Sequence, residues 1–172
     1  KLIATPYGTK DDIYKFALLN LIQESLRQII LDDEKYMIYD FVKEIIISLK
    51  NNKINYLQTA LLFLAQIIKL NGYELEVNHC VFCGSKKEIV TFSFNEGGFI
   101  CKNCLADLDY DSSSNLTNKQ MLLIRSLFLI DKPNISIPDF NEKDGRIILS
   151  YFKDFIFEGI GVKLKSINLF EE

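Results

Sequence analysis

The chain has four cysteines, and all of them lie within residues 80–104 as two C-x2-C pairs. The segment reads CVFCGSKKEIVTFSFNEGGFICKNC, so seventeen residues separate the pairs. This spacing is typical of a site in which four thiolates hold a zinc ion. Two C-x2-C turns that face each other complete a tetrahedron with Zn–S distances of about 2.3 Å, and the closed shell makes such an ion structural rather than catalytic. We therefore predict that one Zn²⁺ is bound by Cys80, Cys83, Cys101 and Cys104.

The same four thiols have other possible uses. Two disulfides would suit an exported protein, but the sequence shows no signal-peptide pattern. A dithiol redox site needs a C-x2-C close to a βαβ pattern, which we do not find. An iron–sulfur cluster or a rubredoxin-type iron site uses the same ligands, and the sequence alone does not distinguish iron from zinc.

The residues before the cysteines predict three helices. Apolar residues recur at helical spacing over residues 10–31 and 34–50. Residues 55–70 are apolar on nearly every face, so the third helix is expected to be the central and most buried one. Asn71-Gly72 should end it, because glycine readily adopts the left-handed conformation that follows a helix.

The cysteine segment and the residues after it predict a hairpin and further helices. EIVTFSF at 88–94 is rich in β-branched and aromatic residues, NEGG at 95–98 favours a turn, and FIC returns, which together indicate a β-hairpin. Thr117 and Gln120 form a T-x-x-Q capping box that opens a helix through MLLIRSLFLI. A last helix is expected over residues 141–158. The predicted fold class is mainly α, a helical bundle with a small β-hairpin zinc knuckle held by the four cysteines.

Charge and residue types argue against several classes of function. The net charge is −3, so no overall basic field indicates nucleic-acid binding, and residues 71–115 carry three basic and seven acidic groups. The single histidine, His79, is expected at the surface or just outside the metal site, because four thiolates already fill the metal's shell. P-loop, dinucleotide-binding and catalytic-triad patterns are absent, and no apolar run reaches the roughly 20 residues that a membrane span needs. We predict a protein that is not an enzyme and has no membrane role.

Several segments resemble the bacterial recombination-mediator family RecO. LNGYELEVNHCVFCGS at 70–85 and FSFNEGGFICKNC at 92–104 are similar to that family's Gly-Tyr segment, its first C-x2-C-G and its return through a second C-x2-C. GVKLKSINLF at 161–170 is similar to the family's closing L-K-S segment, and the likeness runs in order over nearly the whole chain. In that family an OB-fold, a barrel that binds nucleic acid, precedes the helical domain.

The resemblance implies how the chain is divided. The main DNA-binding barrel would be missing from this chain, with only its end and a linker present. The expected segments are the barrel end and linker at 1–9, a helical core at 10–73, the four-cysteine zinc knuckle at 74–110 and the completing C-terminal helices at 116–172.

The resemblance also implies a function and partners. Members of the family help to load the RecA recombinase onto single-stranded DNA coated by single-strand-binding protein (SSB), act with RecR and anneal complementary strands. We therefore expect a cytoplasmic protein of the bacterial nucleoid that contacts DNA mainly through the missing OB-fold. The helical domain is associated with docking the acidic SSB tail, which ends in phenylalanine. Such a site needs a hydrophobic pocket for the ring and a cation for the carboxylates.

Candidate partner-binding residues follow from positions that match this family. Its members often carry Arg-x-Phe-Glu before the Gly-Tyr segment, where this chain keeps Phe63 but has Leu61 and Leu64 in place of the charged residues. Ile167 stands where an arginine commonly follows L-K-S, so other cations must serve. The candidates for contacting a partner are Phe63, Lys69, Arg27 and Lys165.

Two other hypotheses use the same cysteines. A zinc-stabilised helical adaptor with no nucleic-acid role fits them equally well, and only the family resemblance separates it from a recombination mediator. A thiol-redox protein would need an accessible thiolate of lowered pKa, whereas zinc-bound thiolates resist alkylation until a chelator is added.

Overall fold

The computed structural model describes residues 10–31, 35–50, 54–107, 116–130 and 140–170. Within these ranges the chain forms six α-helices, one antiparallel hairpin and two shorter helical segments. In chain order they are α1 (Lys10–Gln28), α2 (Lys35–Lys50), α3 (Tyr56–Leu70), β1 (Ile89–Ser93), β2 (Gly98–Cys101), α4 (Lys102–Asp107), α5 (Asn118–Leu129), α6 (Glu142–Phe155), a π-helical turn (Ile156–Ile160) and a 3-10 helix (Lys165–Phe170). None of these helices combines the length and the apolar composition that crossing a bilayer requires.

The central element is α3, as its sequence predicts. The side chain of Asn55 caps its start by accepting a hydrogen bond from the backbone N–H of Gln58 at 3.0 Å. Nearly every side chain of α3 is buried, and α1, α2, α5 and α6 all pack against it. Asn71 caps its end, and Gly72 follows with a φ of +84°.

The predicted fold class is confirmed, and the element boundaries differ in a few places. The first helix ends at Gln28 rather than near residue 31, and the last helix continues past Phe155 as a π-helical turn that Gly161 ends in the left-handed conformation. The capping box of Thr117 and Gln120 is present in both directions. Neither α4 nor the 3-10 helix was predicted from the sequence, and residues 1–9 lie outside the described residues.

Aromatic rings join one face of the hairpin to the helices. Phe94 stacks on Phe155 at a centroid distance of 4.4 Å and meets the edge of Phe152 at 6.0 Å, both of them residues of α6. Phe92 and Phe99 are buried in the same core as α3. The knuckle therefore shares its apolar interior with the helical bundle.

A short parallel bridge adds the segment before the cysteines to the hairpin. Glu76 donates its backbone N–H to the Gly97 carbonyl at 2.7 Å, and its own carbonyl accepts the Phe99 N–H at 2.9 Å. Gly98 lies directly opposite with a φ of +153°, and a Cβ atom there would overlap the Glu76 backbone. Only glycine fits this position, because the two backbones approach too closely for a side chain.

Candidate metal centre

Two local turns present the cysteine sulfur atoms. In the first, the Cys80 N–H donates to the Ser85 carbonyl at 2.8 Å, and the Gly84 N–H donates back to the Cys80 carbonyl at 2.9 Å. The second pair is carried by the end of β2, where Cys101 lies, and by the following α4, which contains Cys104. The hairpin returns the second pair to the first, as its spacing predicts.

The four sulfur atoms form one compact group. All four Sγ atoms lie within 4.8 Å of one another, and those of Cys83 and Cys101 are 3.6 Å apart. A tetrahedron with Zn–S bonds of about 2.3 Å has sulfur–sulfur edges of about 3.8 Å, so the spacing suits a metal at the centre. It is far longer than the roughly 2.05 Å of a disulfide bond, and all four cysteines are free. The geometry is consistent with a zinc site.

Backbone amides favour the thiolate form of one cysteine. Burial raises the pKa of the Cys80 thiol, but hydrogen bonds from the backbone N–H groups of Cys101, Cys83 and Phe82 outweigh it and lower that pKa to about 6. Hydrogen bonding to Cys83, together with burial, raises the pKa of the Cys104 thiol. Amides that stabilise a thiolate suit metal binding, because cysteine ligates metals in its deprotonated form.

The centre has a small apolar surround of its own. Cys80, Ile100 and Cys101 form a buried cluster separate from the main core, and half-buried side chains such as Leu105 pack against it. Cys83 is the exposed member of the four. So little apolar surface gives only a modest driving force for folding, and a bound metal would supplement it.

One arginine ties this region to the helical bundle. Arg125 of α5 donates its Nε–H to the Val77 carbonyl at 3.1 Å and its Nη2 to the Asn78 Oδ1 at 3.0 Å, just before the first cysteine. The sequence analysis missed this contact. One feature of the sequence could have indicated it: Arg125 is the single charged residue in the otherwise largely apolar segment MLLIRSLFLI.

The histidine lies beside the centre but outside it. The Nε2 atom of His79 is 3.2 Å from Oε2 of Glu76, and His79 is not part of the four-residue group. That His79 is not a ligand stays a prediction.

The partner-binding candidates fall into two groups. Phe63 has no exposed surface, and its side chain belongs to the core that surrounds α3. Lys69 is half-buried in the last turn of α3. Arg27 and Lys165 are exposed, and they line the same cavity of about 440 Å³, called here the first cavity.

The first cavity lies between α1 and the 3-10 helix. Phe16 and Leu169 supply its apolar surface, and the sequence analysis named neither. The sequence could have indicated Phe16 only through its spacing from Arg27. The two residues are eleven apart, which is three helical turns, so they lie on the same side of α1. Two distant cations and two apolar side chains are therefore brought to one place.

Glu24 also lines this cavity. Its oxygens accept hydrogen bonds from the backbone N–H groups of Lys165 at 3.1 Å and Ser166 at 3.0 Å, and from the Ser166 hydroxyl at 2.7 Å. Burial raises the pKa of Glu24, but these bonds and one from the Gln28 side chain outweigh it and leave the pKa below its ordinary value. The carboxylate therefore serves to fix the 3-10 helix.

Comparison with known proteins places most of the chain in one family. Residues 10–165 match the family described as "Recombination protein O C terminal". A protein named DNA repair protein RecO from Caldanaerobacter subterraneus subsp. tengcongensis is 26% identical over 95% of this chain and 70% of its own length. Proteins of the same name from Mycoplasma mycoides and a Thermoanaerobacter species are 28% and 27% identical, over 87% and 60% of this chain. The chain spans 59% and 42% of those two relatives, and no solved structure matches it significantly.

Proposed function

Because the chain belongs to the family of recombination protein O C-terminal domains, we propose that it is part of a recombination mediator in DNA repair. In this role it helps to load RecA onto SSB-coated single-stranded DNA together with RecR, and it promotes strand annealing. It acts as a mediator and not as an enzyme, in the cytoplasm at the nucleoid. This chain supplies the helical and zinc-binding part, and an OB-fold of the family's kind makes the main DNA contacts.

The match over residues 10–165 and the shared name of the relatives support the repair role. The compact sulfur group supports the second element of the proposal, one structural Zn²⁺ held by the four cysteines. With all four positions of a tetrahedron filled by protein, the ion has no open site for substrate and serves to hold the two cysteine turns together.

One observation supports partner docking on this chain. Arg27 and Lys165, exposed and far apart in sequence, line one cavity with Phe16 and Leu169. An apolar pocket beside two cations has the chemistry that an acidic peptide ending in phenylalanine requires. We assign the SSB tail to this cavity, in place of a site that includes the buried Phe63.

Fluorescence anisotropy of a labelled SSB-tail peptide, titrated with the 172-residue chain at low and moderate salt, tests this assignment. We expect saturable, salt-sensitive binding that is lost when the terminal phenylalanine is removed. Arg27→Glu and Lys165→Glu should each weaken binding at least about tenfold, because each replaces an attraction by a repulsion. Lys163→Glu, an exposed lysine of the same segment that does not line the cavity, is the matched control.

The alternative is a zinc-stabilised adaptor with no nucleic-acid role, and the same titration distinguishes it from a recombination mediator. Absence of binding by the folded chain would refute docking here and favour the adaptor. Equal weakening by the Lys163→Glu control would show that only net charge matters and would also refute the assigned cavity.

A further inference from the structure

A second cavity lies next to the first along α1. It has a volume of about 590 Å³ and is formed by α1 and α2, with Leu19, Leu26 and Ile46 among its apolar lining residues. Neither the family match nor the names of the relatives assigns it a role.

The two cavities share a wall. Gln23 and Arg27 line both, and they are exposed residues four apart on α1, one above the other on the same face of the helix. On one side of this ridge α1 contributes Asn20 to the first cavity, and on the other side it contributes Leu19 to the second, while Phe16 lies in line with the ridge two turns away and lines the first cavity. A helix with its side chains is about 10 Å across, so a ligand could cross the ridge within about three extended residues.

Cations accompany both cavities. Lys165 lines the first, Lys35 lines the second, and Arg27 stands between them on the ridge. None of the described residues that line the second cavity is acidic. The one carboxylate of the first, Glu24, already accepts hydrogen bonds from Lys165 and Ser166. Across α1 the order is thus one apolar cavity, the Arg27 cation and a second apolar cavity, and each cavity has a lysine of its own among its lining residues.

From this order we propose that the two cavities form one bipartite site for an acidic peptide with two apolar side chains about three residues apart. One apolar side chain enters the first cavity, the second enters the cavity between α1 and α2, and the acidic residues between them lie over Arg27. The inference rests on the proposed docking function and adds the second anchor, with Leu19 as a residue that determines which peptides bind tightly.

A peptide fits this surface better than a nucleic acid does. Each cavity has mostly apolar walls of a size that accepts a side chain, and three cations are few for a backbone that carries one phosphate per nucleotide.

Two labelled acidic peptides test the second anchor. Both end in phenylalanine, and one carries a leucine three residues earlier where the other carries a serine. We expect the 172-residue chain to bind the leucine peptide about tenfold more tightly, since burial of one aliphatic side chain typically provides that factor.

Three substitutions on α1 separate the cavities. Ile13, Phe16 and Leu19 are exposed to similar degrees, 45%, 44% and 38%, and lie at successive intervals of three residues. Leu19→Ser should remove the advantage of the leucine peptide and leave the serine peptide's affinity unchanged. Phe16→Ser should weaken both peptides, whereas Ile13→Ser, which alters neither cavity, should weaken neither.

The outcomes are distinguishable. Equal affinities of the two peptides, or an advantage that survives Leu19→Ser, would overturn the second anchor and leave the first cavity's role intact. No binding of either peptide to the folded chain would overturn the docking function itself. Displacement of the peptides by oligo(dT) at similar concentration would identify a nucleic-acid surface and would also overturn the proposal.

Discussion

Among single residues, Cys83 offers the cleanest access to the metal centre. Cys80 and Cys101 are buried, so replacing either one also disturbs the small apolar cluster around them. Cys83 is exposed, and its sulfur lies 3.6 Å from that of Cys101. Removing this sulfur would take away one of the four proposed ligands while leaving the buried cluster of Cys80, Ile100 and Cys101 almost unchanged.

We therefore expect Cys83→Ser to lower the zinc content from about one ion per chain to well below half, because three thiolates no longer complete the tetrahedron. The helical circular dichroism signal at room temperature should be retained, since Cys83 has no part in the main core. Metal analysis of the purified chain measures the first effect. Phe82→Ser changes an exposed neighbour in the same turn and should retain the metal. Stoichiometric zinc in Cys83→Ser would refute the ligand assignment.

At the scale of elements, the C-terminal 3-10 helix depends on a residue from the other end of the chain. Glu24 of α1 accepts both backbone N–H groups at the start of this helix. Tyr14 stacks on Phe170 at the helix's end, with ring centroids 5.6 Å apart. The segment lacks enough periodicity to indicate a helix alone, which is why the sequence analysis missed it.

Glu24→Gln should reduce the free energy of unfolding at pH 7 by about 1 kcal/mol, because an ionised acceptor makes the stronger hydrogen bonds. The pKa of Glu24 is lowered on folding, so its contribution is complete above about pH 4.5, the ordinary value, and is lost as the pH falls through the lowered folded-state pKa. The difference in urea midpoint between the two proteins should therefore disappear in strong acid. Glu74→Gln, at an exposed glutamate, should show no difference at either pH. A difference independent of pH would refute the role of the charge.

The sequence predicts those elements whose pattern is local. Residues 55–70 are apolar on nearly every face, and they form the buried α3. The T-x-x-Q box is present where α5 begins. Contacts between distant segments leave no local pattern. Phe63 is buried with the rest of α3, and nothing in the sequence near Arg27 or Lys165 shows that the two line one cavity. Sequence pattern therefore located the cysteine cluster, whereas the partner-binding residues stay a prediction.

The contact between α5 and the knuckle is another that pattern did not reveal. Arg125→Ala should lower the free energy of unfolding by about 1–3 kcal/mol, since it leaves the Val77 carbonyl and the Asn78 amide without this partner. Zinc release to a chelator should also become faster, because the first cysteine turn is less firmly held. Lys119→Ala, at an exposed position of the same helix, is the control. Unchanged release kinetics would show that the hairpin alone positions the cysteines.

At the scale of the whole molecule, the knuckle and the bundle unfold together or separately according to how much core they share. On the cysteine side of the hairpin the buried apolar surface is limited to the small cluster of Cys80, Ile100 and Cys101. On the opposite side, Phe92 and Phe99 are buried in the main core. Phe94 stacks on Phe155 of α6, and Tyr73 meets the edge of the same ring at 4.8 Å. A cluster that continues from hairpin to helices couples their stability, because opening either one exposes apolar surface of the other.

We therefore expect removal of the metal by a chelator under reducing conditions to shift a single thermal transition rather than to create a second one. A free metal concentration about 1,000 times its Kd stabilises the folded state by about 4 kcal/mol, which corresponds to roughly 10 °C in Tm for a chain of this size. Far-ultraviolet circular dichroism, which reports the helices, and alkylation of the buried Cys80 and Cys101 thiols, which reports the opening of the knuckle, should give the same midpoint. Phe94→Ala should separate the two midpoints, because it removes the ring that bridges the hairpin and α6. Two transitions in the unaltered, metal-free chain would mean that the zinc knuckle folds as its own unit, and that the aromatic contacts bring the two parts together without coupling their stability.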